Sequence, residues 1–252
     1  MRRSSNDEPL ARAAANCAGA YRTWAAALGK PVAVWPEVSC GDLGLATNLP
    51  PNNATLLEPP DAESFESLLD RVGAFFAAGP GGGYQIWSIW PTPDLTGRGY
   101  QGWSCPCMIR DPGGERPEPP PGLEIRTAVD AGSIADAEAL IAESFGADDP
   151  PGSMLGPKAI SDRFQVWVGR VDGRPVSTAT AYVSDGFVGV YAVATTPIAR
   201  GRGYGAALSW TATLYRPDLP ATLQASPMGQ PVYERMGYRT VARFTVWEHE
   251  RR

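Results

Sequence analysis

Lysine occurs only at Lys30 and Lys158, and His249 is the one imidazole in the chain. Cysteine is sparse too: Cys17, Cys40, Cys105 and Cys107, all in the first half. Each shortage argues against a class of function. Cys105-Pro106-Cys107 is tighter than the two-residue spacer of a zinc knuckle, and no second histidine is available, so no metal site is expected. The cysteines read as buried free thiols rather than disulfides. No apolar run approaches the roughly 20 residues of a membrane span, so no membrane partner is expected. No basic block is present and the formal net charge is −5, which argues against a nucleic-acid partner. Met1-Arg2-Arg3 resembles the opening of an export signal, but Asn6-Asp7-Glu8-Pro9 follows at once and the next segment is amphipathic. A cytoplasmic protein is the expectation.

What the chain does have suffices for a core. Hydrophobic residues make up 43% of its 252 and charged ones only 19%, a globular composition. Residues 112–122, Pro-Gly-Gly-Glu-Arg-Pro-Glu-Pro-Pro-Pro-Gly, read as a stiff extended linker. The expected organisation is therefore a first half over 1–111, the linker over 112–122, and a second half over 123–252.

The second half gives the clearer pattern. A strand is expected at 123–127 and a helix capped by Ser133 and closed by Gly146. A hairpin follows over 164–171 and 175–183, turning at Asp172-Gly173. Then come an apolar strand at 188–195, a glycine-rich turn, an amphipathic helix, a short strand at 222–226, a short helix at 230–236 and a last strand at 239–247. The first half predicts helices over 9–28 and after Asp61, and strands over 84–90 and 103–109.

The turn between strand and helix carries the chemistry. It reads Arg200-Gly201-Arg202-Gly203-Tyr204-Gly205-Ala206. Glycines there allow close backbone approach, and a helix N-terminus offers free N–H groups and a positive dipole end. A phosphate-bearing ligand is the expectation. Gly201-x-Gly203-x-x-Ala206 fits a loose dinucleotide fingerprint, but too few strand–helix repeats follow for a doubly wound parallel sheet. The other reading is Arg200-x-x-Gly203-x-Gly205, followed about 30 residues later by Tyr233-Glu234-Arg235-Met236-Gly237-Tyr238.

With these two motifs the chain resembles the GNAT superfamily, the acyl-CoA-dependent N-acyltransferases. The first motif resembles that family's pyrophosphate loop and the second its acid-bearing segment. The resemblance implies an α+β fold, a mixed and mostly antiparallel sheet flanked by helices, with two GNAT-like halves of which the first is degenerate. It implies acetyl-CoA as acyl donor, no metal, and a small-molecule or peptide amine as acceptor, attacked directly in a ternary complex. It assigns the backbone at Val193 and Thr195 to the pantetheine arm and the Val193 amide to the developing oxyanion. The backbone of Gly201, Arg202, Gly203, Tyr204, Gly205 and Ala206 would hold the pyrophosphate, with charge from Arg200 and Arg202. Tyr233 is the implied acid for the departing thiolate. Ser226 either hydrogen-bonds cofactor or substrate or caps the next helix.

No carboxylate stands on the strand before the loop, so the general base is missing there. Glu143, Asp148, Asp149 and Asp185 are the candidates elsewhere, each more readily read as a solvated surface acid. Trp24, Trp35, Trp87, Trp90, Trp103 and Trp167 either line a pocket between the halves or belong to the core. The rival function is a non-catalytic acyl-CoA-binding module that senses or scaffolds.

Overall fold

A computed structural model describes residues 7–45, 52–61, 63–80, 83–147, 149 and 152–250. Asp148 lies outside the described residues. The first half runs α1 (Asp7–Ala27), β1 (Val32–Val34), β2 (Val38–Gly41), β3 (Asn53–Leu56), α2 (Phe65–Ala78), β4 (Tyr84–Ser88) and β5 (Gln101–Arg110). The second runs β6 (Glu124–Thr127), α3 (Ala131–Phe145), β7 (Phe164–Val171), β8 (Arg174–Ser184), β9 (Phe187–Thr195), α4 (Tyr204–Thr213), β10 (Ala221–Gln224), α5 (Gln230–Arg235) and β11 (Arg239–His249). These eleven strands form one sheet, in the order β1-β2-β3-β4-β11-β5-β10-β9-β8-β7-β6. Two adjacent pairs are parallel, β3 with β4 and β9 with β10, each joined through a helix; the other pairs among the described residues are antiparallel.

The halves interleave at the centre of this sheet. β5, from the first half, lies between β10 and β11, while β11, the last strand, lies between β5 and β4. α1 also crosses over. Its Asn16 amide donates to the Ser184 carbonyl at 3.1 Å and accepts from the Tyr191 hydroxyl at 2.6 Å. The Thr23 hydroxyl meets the Tyr182 hydroxyl at 3.1 Å. One cluster of buried side chains accordingly joins Ala13, Cys17 and Trp24 of α1 to Phe164, Val166 and Tyr191 of the second-half strands. Burial on this scale is the main source of stability, and here it is shared between the interleaved halves.

Local chemistry explains the helix ends. α3 starts at Asp130, whose carboxylate accepts the Ser133 amide at 2.8 Å while the Ser133 hydroxyl accepts the Asp130 amide at 3.2 Å. Ser133 is thus the inner member of a capping box and Asp130 the cap, three residues earlier than its sequence position suggests. Gly146, at φ +68°, closes the helix. α2 starts at Phe65, and Asp61 caps it indirectly by accepting the Ser64 amide at 3.2 Å. All four cysteines are buried and free. His249 ends β11, with its ring 5.1 Å from Tyr84 and 4.9 Å from Tyr100.

One buried acid braces the loop after α3. The Glu138 carboxylate, on α3, accepts from the amides of Gly152 and Met154, each at 2.6 Å, and of Leu155 at 3.4 Å. It ties the irregular loop after α3 to the helix itself. Glu138→Ala strands these donors, and chemical denaturation should show a loss of about 3 kcal/mol, the order expected for charged hydrogen bonds removed from a buried site.

Candidate active site

The parallel pairing of β9 with β10 is short. It covers only Val188 with Ala221 and Gly189 with Thr222, so beyond Gly189 the two strands part. A cleft opens between them. Parting strands leave backbone groups that an extended ligand can use as a neighbouring strand would.

β9 is also distorted at this point. Its register against β8 shifts so that Ala192 and Val193 together face the single residue Ala179. Ala192 has φ +48°, rare for a residue with a side chain. Together these features define a β-bulge, a device that re-aims a strand locally. A left-handed alanine costs on the order of 1–2 kcal/mol, and strain of this kind concentrates at functional positions.

Two cavities meet in the cleft. The first, about 660 Å³, runs along the glycine loop and is lined by Thr195, Arg200, Gly201, Gly203, Tyr204, Gly205 and Ala206, among others. Gly201 (φ +76°) and Gly203 (φ +81°) both adopt the left-handed conformation, which glycine alone enters freely. Gly203 is the N-cap of α4 and offers no side chain to the helix end. The first intrahelical bond runs from the Ala207 amide to the Gly203 carbonyl at 3.0 Å, which leaves the Tyr204, Gly205 and Ala206 amides ahead of it. A helix start with open amides and a positive dipole end suits an anion. A Cβ on Gly205 would stand 2.9 Å from the Thr195 hydroxyl, so that position also needs glycine. Arg200 and Arg202 are exposed beside the loop. The Arg200 side chain donates to the Thr195 carbonyl at 3.1 Å, an acceptor already shared with the Ser144 hydroxyl at 3.3 Å.

The second cavity, about 480 Å³, lies toward the first half. Its walls include Tyr21, Trp24, Trp87, Trp103 and Tyr191. The two cavities share four residues: Phe145, Val193, Ser226 and Tyr233. Val193 and Tyr233 thus sit where the contents of the two spaces would touch. Tyr233 lies on α5, and burial raises its pKa above 10, with a Ser209 hydrogen bond acting the other way. The phenol therefore keeps its proton at neutral pH and beyond. If it is the proton donor, kcat should stay level between about pH 7 and 9 and decline only above the usual tyrosine range. An alkaline limb centred below pH 9 in a kcat profile would contradict that role. The Ser226 hydroxyl accepts the Gly229 amide at 3.1 Å, so it caps the turn into α5 while also forming cavity wall.

Among the described residues, no Asp, Glu or His lines either cavity. Glu143 and Asp149 are not among the lining residues. Asp185 stands at the β8–β9 turn, where its carbonyl accepts from Arg12 at 2.8 Å. Of the tryptophans, Trp24, Trp87 and Trp103 reach the cavity. Trp35 instead packs edge-on to Phe75, and Trp167 to Tyr215. The bulge at Ala192 and the Phe145 wall carry no sequence signal. Among the described residues, no group of three or more potential metal ligands comes together. No helix among them is long and apolar enough to cross a membrane.

This architecture is the GNAT fold, a large and mostly antiparallel sheet flanked by helices. A GCN5-related N-acetyltransferase from Kribbella flavida superposes with a TM-score of 0.66 at 20% identity, over 92% of this chain and 95% of that one. A GCN5-related N-acetyltransferase from Sphaerobacter thermophilus gives 0.54 at 17% identity, over 79% and 73% of the two chains. A GCN5-related N-acetyltransferase-like protein from Streptococcus suis gives 0.55 at 15%, covering 78% of each. No protein-family model and no curated protein matches the chain. At these identities the likeness is one of fold, and function rests on the site.

Proposed function

We propose that the protein is an N-acyltransferase that moves an acetyl group from acetyl-CoA to an amine by direct attack in a ternary complex. The observation that carries this reading is the meeting of the two cavities at Val193 and Tyr233. The glycine-loop groove suits the donor. The amides from Gly201 to Ala206 would hold its pyrophosphate, Arg200 and Arg202 would add charge, and the opened edge of β9 at Val193 and Thr195 would line the pantetheine arm. The aromatic cavity suits the acceptor. At the junction the bulged backbone at Val193 would stabilise the oxyanion, and Tyr233 would hand its proton to the departing thiolate. Ser226 would border both substrates.

The first half, 1–111, is read as a degenerate counterpart of the second, 123–252, connected by the linker at 112–122. Its β3–α2–β4 unit repeats the parallel strand–helix–strand plan of β9–α4–β10. The turn ahead of α2 contains Leu57-Glu58-Pro59-Pro60-Asp61, with two acids and no glycine, a poor cradle for phosphate.

The absence of a carboxylate or imidazole from the described cavity walls favours a second reading, an acyl-CoA-binding module without turnover. Release of CoA thiol from acetyl-CoA separates the two. Amine-dependent release, with the acetylated amine identified by mass, supports the enzyme. Tight acetyl-CoA binding with no release above background across a broad amine panel supports the binding module.

A further inference from the structure

The walls of the second cavity narrow the choice of acceptor. We propose that it is an aromatic amine of low basicity, a planar aryl or heteroaryl ring whose amino group enters uncharged. This deepens the acyl-transfer reading and rests on it.

The cavity is built from rings held in place by their own polar atoms. The Trp24 indole N–H donates to the Met154 carbonyl, that of Trp87 to the Gln85 side-chain oxygen at 2.9 Å, and that of Trp103 to Glu248 at 3.1 Å. With the N–H groups occupied, what the indoles add to the cavity is carbon surface. Trp87 and Trp103 stand edge to face at 5.7 Å, and Tyr21 is stacked parallel to Trp24 at 6.4 Å. Fixed rings in such orientations accept a further flat ring by offset stacking and edge contacts.

Charge points the same way. Among the described residues, no Asp, Glu, His, Lys or Arg lines this cavity. An ammonium entering it would shed its water with no counter-charge in return. Cys105, in the wall, supplies no anion, because burial pushes its thiol up to about 12, with Cys107 adding to the rise and Arg243 opposing it. Burial likewise raises the Tyr21 and Tyr191 phenols. At the rim, Arg243 is bonded to Ser104, and Glu248 to Gln85 and Trp103. With no base in these walls, the amine must arrive with its lone pair free. An alkylamine with a pKa near lysine's is neutral in only about one molecule in 2,500 at pH 7. An arylamine, its lone pair delocalised into the ring, is neutral throughout.

Gln224 is the one amide side chain among the described residues that line the cavity. Its Nε2 is covered by surrounding atoms and has no hydrogen-bond partner, so a small turn of the side chain would bring it to a ring nitrogen or oxygen substituent. A saturated acyl chain, the other occupant an apolar space could take, offers no such partner.

The chemistry balances without a protein base. The amine nitrogen attacks the thioester carbon, the N–C bond forms, and the C–S bond breaks with its electron pair leaving on sulfur. Tyr233 protonates the sulfur, and the nitrogen gives up one proton that returns, through solvent, to the tyrosinate.

The test measures acetyl-CoA binding and amine turnover on the full chain. Acetyl-CoA binding is followed by thermal shift. Turnover is followed by thiol release with 4-methylaniline, 6-aminoquinoline, cyclohexylamine and putrescine at pH 7. The arylamines should exceed cyclohexylamine in kcat/KM by at least tenfold. Trp103→Ala, at a site already 40% exposed and so mild for the fold, should lower arylamine kcat/KM by at least fivefold with acetyl-CoA binding unchanged. Gln224→Met should selectively lower turnover of 6-aminoquinoline. Preference for cyclohexylamine or putrescine with intact acetyl-CoA binding overturns the acceptor assignment alone. So does preference for octanoyl-CoA over acetyl-CoA that Trp103→Ala abolishes, since the cavity then houses the acyl chain. Failure of the wild-type protein to bind acetyl-CoA overturns the acyl-transfer reading itself.

Discussion

Tyr233→Phe should lower kcat by at least a hundredfold while leaving acetyl-CoA affinity within about twofold, since positioned proton transfer contributes roughly 10² to 10⁴ in rate. The substitution removes one oxygen and keeps the ring that borders both cavities. The phenyl ring that remains would retain the edge contact with Tyr238, which lies 5.8 Å from the Tyr233 ring. Packing is therefore nearly unchanged, and what is lost is the proton together with the hydrogen bond to Ser209. The measurement is steady-state thiol release beside equilibrium binding of acetyl-CoA. Unchanged kcat would remove Tyr233 from the mechanism. Parallel losses of rate and affinity would make it a binding residue.

Gly203→Val should weaken acetyl-CoA binding by at least a hundredfold, about 2.7 kcal/mol. Gly203 sits at φ +81°, where a β-branched side chain is a severe outlier, and a Cβ there would approach Pro120 of the linker to 3.2 Å. Relief requires the loop to rotate away, which would turn the amides at the start of α4 off their common target. Gly203→Ala, with the same backbone conflict and less bulk, should give an intermediate loss. Melting of each variant without ligand separates a damaged loop from a damaged fold. Nanomolar or low-micromolar binding by a folded Gly203→Val protein would contradict the loop's role.

Much of the second half was legible because its signals are local. The glycine loop announces left-handed turns at Gly201 and Gly203 and the start of α4, and the Asp172-Gly173 turn places the β7–β8 hairpin. Three first-half strands escaped for a physical reason. β2, Val-Ser-Cys-Gly, and β3, Asn-Ala-Thr-Leu, do alternate, but over four residues each the pattern is too short to stand out, and burial on both faces hides their polar residues along with the apolar ones. Some of their polar groups find partners inside, as when the Thr55 hydroxyl donates to the Asn53 side-chain oxygen at 2.6 Å. β1 has only three residues. The placement of β5 between β10 and β11 is a long-range pairing that no local pattern encodes. Half of the six tryptophans named from sequence reach the cavity, because strand alternation and α1's packing across the sheet decide which do. The bulge at Ala192 carries no glycine to announce it.

The central claim is that the glycine-loop groove holds acyl-CoA. The most direct measurement is the melting temperature of the purified protein with acetyl-CoA, CoA or NAD present. At 100 times the dissociation constant a specific ligand adds about 2.7 kcal/mol to stability, a shift of several degrees. A rise with acetyl-CoA and CoA but none with NAD is the predicted result. No rise with either CoA species, or a rise with NAD alone, would contradict the account.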